Sequence, residues 1–187
     1  MPWQPSADIE QLQHRAKVIS QIRAFFAARD LLEVDTPVMS HYGVSDPHID
    51  SIAVAFAAHG DLSNQRMRQP MYLMSSPEYA MKRLLAAGSG NIYQIAKAFR
   101  NGEVGRRHNT EFTLLEWYRL DFDLQQLMQE VAELIDTVLK GAVLEWHFWS
   151  YRQAFETILS INPLTASDAD IKAKALAHVD IQMDACA

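Results

Sequence analysis

Cysteine is almost absent from this 187-residue chain: Cys186 stands alone, so no disulfide can close within it. A lone thiol suits a reducing compartment, and the cytoplasm is the expected location. Long apolar runs are missing too, none approaching the ~20 residues that cross a bilayer, so no membrane partner is expected. The opening MPWQPSADIE lacks the basic-then-apolar pattern of a secretory leader. The seven histidines are scattered, no two of them at metal-ligand spacing, and no metal ligand is assigned. Positive charge is in the minority, with 17 Lys and Arg against 23 Asp and Glu for a net charge of −6. Such a surface does not advertise nucleic acid or anionic lipid. Repeats and low-complexity segments are also lacking.

What remains is rich in core material. Apolar residues make up 49% of the chain, enough for one domain over residues 1–187. Ser6 and Asp8 announce a helix, with Glu10 favourably placed in its first turn. Ile9, Leu12, Ala16, Ile19, Ile22 and Phe26 recur at steps of three and four, a continuous apolar stripe that should end near Asp30. LLEVDTPVM follows as an extended segment, its Pro37 suited to an edge or bulge. His41–Asp50 reads as a loop and SIAVAF as a strand. HGDLSNQRMRQ turns into a further strand, MYLM. In SSPEYAMKRLLAAG, Ser76 is the expected N-cap, Pro77 the first helical residue and Gly88 the stop. Leu127, Val131, Leu134, Ile135 and Val138 mark another amphipathic helix over Leu124–Leu139, and two short helices should follow. Helices interleaved with antiparallel strands make an α+β pattern rather than a βαβ repeat.

The richest stretch is Lys97–Asp121, KAFRNGEVGRRHNTEFTLLEWYRLD. It reads strand, glycine-punctuated basic loop, strand. NIYQIAKAFR alternates so that Gln94, Ala96, Ala98 and Arg100 share a face, the alanines leaving room for a ligand. On the second strand Phe112, Glu116 and Tyr118 share a face as well. An aromatic plate, a carboxylate and a phenol beside a cationic loop suit something flat, anionic and aminated, as ATP and an amino acid are. The residues alone also allow blander roles. Arg106, Arg107 and His108 can form a solvated turn, Asn109 can be a turn residue, Phe112 can belong to the core, and Glu116 can be an exposed strand charge. Ser76 and Glu78 can simply stabilise a helix start.

These segments resemble the class II aminoacyl-tRNA synthetases, specifically the lysyl branch and its short paralogues that modify elongation factor P. The long helix with LLEVDTPVM is similar to motif 1, which forms the homodimer interface in that family. KAFRNGEVGRRHNTEFTLLEWY is similar to motif 2, the strand–loop–strand that holds ATP. MSSPEYAMKRLLAAG, EFTLLEWYRLDFDLQQLMQEV and SYRQAFETILSINPLTA carry the likeness to the paralogues, so that it covers most of Ile9 to Ala166. The chain opens almost directly on the motif 1 helix, so no anticodon-binding domain is expected.

The resemblance implies an antiparallel sheet flanked by helices and a residue-by-residue site. Arg100 would contact the α-phosphate of ATP. Asn101, Gly102, Glu103, His108 and Asn109 would line the nucleotide, Arg106 and Arg107 would assist at the outer phosphates, and Phe112 would stack on adenine. Ser76 and Glu78 match the substrate-binding SPE segment. Glu116 and Tyr118, with Trp117 expected as part of their wall, match the residues that receive the substrate's side-chain amine. The implied activity is activation of (R)-β-lysine or lysine as an adenylate, with ATP and Mg²⁺, then transfer to a lysine of elongation factor P. A lysyl-tRNA synthetase fragment and a non-catalytic dimerising module are the alternatives.

Two departures stand out. The family's Phe-Arg-x-Glu reads Phe99-Arg100-Asn101-Gly102 here, with Glu103 one place late, and Thr110 replaces the proline usual after Asn109. Motif 3, glycine-rich and carrying a second arginine and Mg²⁺ ligands nearby, has no counterpart, since no glycine follows Gly141. The expectation is therefore a domain incomplete at its C-terminus, with only part of an ATP site.

Overall fold

The computed structural model describes residues 3–5, 7–57, 68–142 and 145–178. Ser6, most of the turn before MYLM and the final QMDACA lie outside them. The chain divides into two compact units, Met1–Ala142 and Val143–Ala187.

Helix α1 (Ile9–Ala27) begins where the sequence places it, because the Asp8 carboxylate accepts the Gln11 N–H at 2.7 Å. It ends three residues before Asp30, which turns the chain in a left-handed conformation (φ 56°). The apolar stripe is used unevenly. Phe25 and Phe26 are buried, whereas Ile9 and Leu12 are 66% and 46% exposed.

Strand β1 (Leu32–Glu33) follows, then β2 (Met39–Ser40), β3 (Ala53–Ala57) and β4 (Arg68–Leu73). Helix α2 (Glu78–Ala86) leads through Gly88, at φ 87°, to β5 (Ile92–Phe99) and β6 (Glu111–Tyr118). β5 and β6 pair antiparallel along their full length, from Ile92 opposite Tyr118 to Phe99 opposite Glu111. β1 joins β5 in parallel, so this sheet is mixed, in the order β1-β5-β6. A parallel neighbour needs a crossover of a dozen residues or more, and β2–β4 with α2 supply it. The second sheet, β2-β4-β3, is antiparallel. The two sheets are stitched by backbone bonds from Phe99 N–H to Met74 O at 2.9 Å and from Asn101 N–H to Asp50 O at 2.8 Å.

Helix α3 (Leu124–Leu139) starts on a reciprocal capping box between Asp123 and Gln126. It shares with α1 the odd-numbered face of β5 and β6. There Phe25, Phe26, Leu31, Tyr93 and Leu134 form the core, with Ile95, Leu115 and Trp117 against it. Phe26 stacks on Tyr93 at 4.6 Å between ring centroids. Burying such rings contributes roughly 1.5–3 kcal/mol each and holds the sheet to the helices. In the second unit, α4 (Tyr151–Leu159) carries its own capping box, Ser150 with Gln153, and α5 (Asp168–His178) follows. The α+β class and the main helices thus agree with the sequence reading.

Candidate active site

Alternation puts the even-numbered residues of β5 and β6 on the face away from the core. Their register sets Gln94 opposite Glu116, Ala96 opposite Leu114 and Ala98 opposite Phe112. Over the Gln94–Glu116 row comes the turn into α2. The Ser76 hydroxyl donates to Glu116 Oε2 at 2.6 Å, and the Tyr118 hydroxyl donates to Glu116 Oε1 at 2.6 Å. One carboxylate is therefore held at both oxygens by neutral donors. A carboxylate offers about four acceptor positions, so room remains for a cation.

Tyr118 is kept neutral. Partial burial comes first in raising its pKa, followed by its hydrogen bond to Glu116 and then the negative charges of Glu116 and Glu78. Glu78 itself pairs with Lys82 one turn further along α2, and that pairing raises the lysine's pKa. Ser76, Glu116 and Tyr118, the residues expected at the amine, thus form one hydrogen-bonded group, with Glu78 close enough to bear on it electrostatically.

Two expectations need correction here. Ser76 is not the helix cap: α2 starts at Glu78, with Pro77 at the cap position and no side-chain cap bond. The Ser76 hydroxyl accepts the Glu78 N–H at 3.1 Å, two residues on, while giving its proton to Glu116. Its geometry is set by β6 as much as by the helix. Trp117 does not wall the Glu116 face either. At an odd position it points into the core, 5.4 Å from Phe26, and its Nε1 donates to Glu130 Oε2 at 3.0 Å.

At the other end of the face, Arg100 follows the last residue of β5. Its guanidinium lies 5.1 Å over the Phe112 ring, and Nη1 is 3.5 Å from Glu103 Oε1. Asn101 is exposed and anchored by its backbone, and Gly102 adopts φ 76°. Arg106, Arg107, His108 and Asn109 are exposed on the loop, where Gly105 and His108 exchange backbone bonds of 3.1 and 3.3 Å. Their side chains make no hydrogen bond among the described residues, and none is brought onto Arg100. The structure therefore gathers the site residues into two groups, Ser76–Glu116–Tyr118 and Arg100–Glu103–Phe112, on one face.

Sequence reasoning gave no role to one pair. The Thr36 hydroxyl donates to Gln94 Oε1 at 2.9 Å, and both residues are buried. This bond ties the segment after β1 to the floor beneath Glu116. The signal was a polar residue among the otherwise apolar even positions of β5. A cavity of ≈ 340 Å³ borders the same turn, lined by Pro37, Met39, Tyr42, Leu73, Met74 and Tyr79 among others. Of the candidate residues only Ser76 and Glu78 reach it. Its wall is mainly apolar, with Arg83 the one permanently charged cation among its lining residues.

The α+β fold with this strand–loop–strand defines a class. Residues 6–176 match the family of class II tRNA synthetases (D, K and N), and the chain belongs to that family. Among curated relatives it is similar to an elongation factor P–(R)-β-lysine ligase of Vibrio vulnificus, 51% identical over 173 residues, which are 92% of this chain and 52% of the relative. Similar ligases from Photobacterium profundum (49% over 182 residues, 96% and 54% coverage) and Haemophilus influenzae (47% over 177 residues, 94% and 53%) agree. The chain spans about half the length of the curated relatives it matches. In fold it is similar to the asparaginyl-tRNA synthetase of Pyrococcus horikoshii, with a TM-score of 0.56 at 20% identity, over 69% of this chain and 27% of that one.

Proposed function

We propose that this chain carries the amine-binding and α-phosphate-binding walls of an ATP-dependent ligase. The ligase activates (R)-β-lysine or lysine and passes it to a lysine of elongation factor P. The observation that carries the reading is the Glu116 carboxylate, fixed by Ser76 and Tyr118 on the same face as Arg100 and Phe112. The names of the half-identical relatives support the substrates and the acceptor.

In this reading a substrate ammonium docks on Glu116, where partial burial strengthens the attraction relative to water. Phe112 offers its ring to adenine. The Arg100 guanidinium, its Nε buried without a hydrogen-bond partner among the described residues, supplies unclaimed donors for phosphate oxygens. The substrate carboxylate attacks the α-phosphorus, pyrophosphate leaves, and Arg100 offsets the charge that builds there. The acceptor amine then attacks the acyl carbon and AMP leaves. No protein nucleophile is required; positioning and charge do the work. Among the described residues no group of three His, Cys, Asp or Glu side chains could hold a metal, so these residues do not by themselves make a Mg²⁺ site.

The exposed Ile9 and Leu12 on α1 suit the homodimer contact that the motif 1 resemblance implies. Among the described residues no helix is long and apolar enough to cross a membrane, which accords with a cytoplasmic reading. The test is lysine- or (R)-β-lysine-dependent ATP–pyrophosphate exchange, followed by acylation of elongation factor P. Exchange that needs Arg100 and Glu116 supports the reading. Exchange indifferent to both would remove it. No exchange, with concentration-dependent dimerisation retained, would favour the non-catalytic module.

A further inference from the structure

Gly102 bends the loop back toward the strand it leaves. Its φ of 76° is left-handed, a region open to glycine and costly to other residues. Just before it, Asn101 is pinned by its N–H to Asp50 O at 2.8 Å; just after it, the Val104 N–H closes on Gly102 O at 2.9 Å. Between these fixed points the Glu103 carboxylate comes to 3.5 Å from Arg100 Nη1. The same guanidinium stands 5.1 Å over Phe112. A flat base inserted between two other flat groups needs a gap of roughly 7 Å, twice an ordinary contact of ~3.5 Å. Adenine therefore cannot occupy the covered part of the Phe112 ring while Arg100 stays where it is.

We propose that Glu103 is a positioning residue for Arg100: the counter-ion that parks the guanidinium over Phe112 until ATP arrives. Phosphate oxygens then take the place of the Glu103 carboxylate, and Arg100 swings off the ring as the base goes on. The exchange runs toward ATP because a guanidinium–phosphate fork is stronger than a partly exposed, single-contact ion pair. This inference rests on the ATP reading above and adds what holds Arg100 beforehand. It makes Glu103 a competitor of the nucleotide and not one of its contacts.

The test compares MgATP binding by calorimetry for the 187-residue chain and its Glu103→Gln variant. The variant should bind about two- to five-fold tighter, the size expected from losing one screened ion pair. The gain should shrink in ~1 M salt, where such a pair is already screened. Arg100→Ala should lose binding in either background. Where the parent chain binds MgATP, equal or weaker binding by Glu103→Gln overturns the proposal, and weaker binding would make Glu103 a nucleotide contact. A second measurement needs no ATP: nitrogen-15 relaxation of the Arg100 Nε–H signal, assigned by its loss in Arg100→Lys. That signal should be rigid in the parent chain and mobile in Glu103→Gln; unchanged motion overturns the latch. Mobility that changes while neither protein binds ATP counts against the ATP reading alone.

Discussion

Ser76 and Glu116, forty positions apart in the chain, share a hydrogen bond of 2.6 Å between Oγ and Oε2. It joins the entry of α2 to the middle of β6 and sets the direction in which the carboxylate faces. Ser76→Ala removes that donor and also the acceptor for the Glu78 N–H. Unfolding in urea should show a loss of about 1–2 kcal/mol. Calorimetric titration should show weaker binding of the diamino acid with ATP binding little changed.

Alkali should act through tyrosines. Tyr93 is pushed up to about 12, first by burial and then by its 2.9 Å hydrogen bond to Glu33. Tyr118 moves in the same direction. An unfolded tyrosine ionises near pH ~10, so below that both states are neutral and the stabilisation is fully present. Between about 10 and 12 the unfolded chain gives up protons that the folded chain keeps, and stability falls. Urea midpoints taken at intervals from pH 8 to pH 12 should show this decline, and Tyr93→Phe should flatten it.

Acid should act on the other half of the same pair. Arg23 donates through Nε to both Glu33 oxygens at 3.0 and 3.1 Å, and this contact leads in holding the carboxyl below the usual range. The stabilisation is present above the unfolded value of about 4.3 and is lost as pH falls through the lower folded one. Arg23→Gln should shift the acid-unfolding midpoint upward. An unmoved midpoint would mean that the pair does not couple to folding.

Glu130 is 4% exposed, accepts the Trp117 indole N–H at 3.0 Å and lies 3.3 Å from Arg119 Nε. Removing one member of a buried ion pair typically costs ~3–5 kcal/mol. Glu130→Ala should therefore be among the most destabilising single changes in this unit. Glu130→Gln, which keeps an acceptor for Trp117, should cost less. Thermal unfolding of the two variants would rank them.

A Cβ on Gly102 would meet nothing within 4 Å, yet its backbone is left-handed. Gly102→Ala should cost about 1–2 kcal/mol through conformation alone. Because the same bend delivers Glu103 to Arg100, the variant should also loosen that contact, visible as faster motion of the Arg100 Nε–H.

Much of this was legible in the chain. Period-two alternation placed Phe112, Glu116 and Tyr118 on one face, and the heptad-like spacing of Leu127, Val131 and Leu134 marked α3. Ser76 was misread because its side chain answers to a strand forty residues away, which local helix signals do not encode. Trp117 was assigned to the wrong wall by proximity in sequence, although its odd position already pointed to the core. The Thr36–Gln94 bond spans 58 positions and depends on how β1 aligns with β5. The exposure of Ile9 and Leu12 is a matter of what covers a helix, and periodicity reports only that a face exists.

The adjacent residues Glu116 and Trp117 point to opposite sides of β6 and enter separate hydrogen-bond networks, one through Ser76, the other through Glu130. A single strand is thus a party wall between the face proposed to bind the ligand and the helical core. Substitutions on the α1–α3 side that tilt β6 would register as changes in amine affinity without touching the ligand. A ligand that clamps Glu116 would, in turn, brace the indole behind it, so that Trp117 fluorescence becomes a native reporter of occupancy.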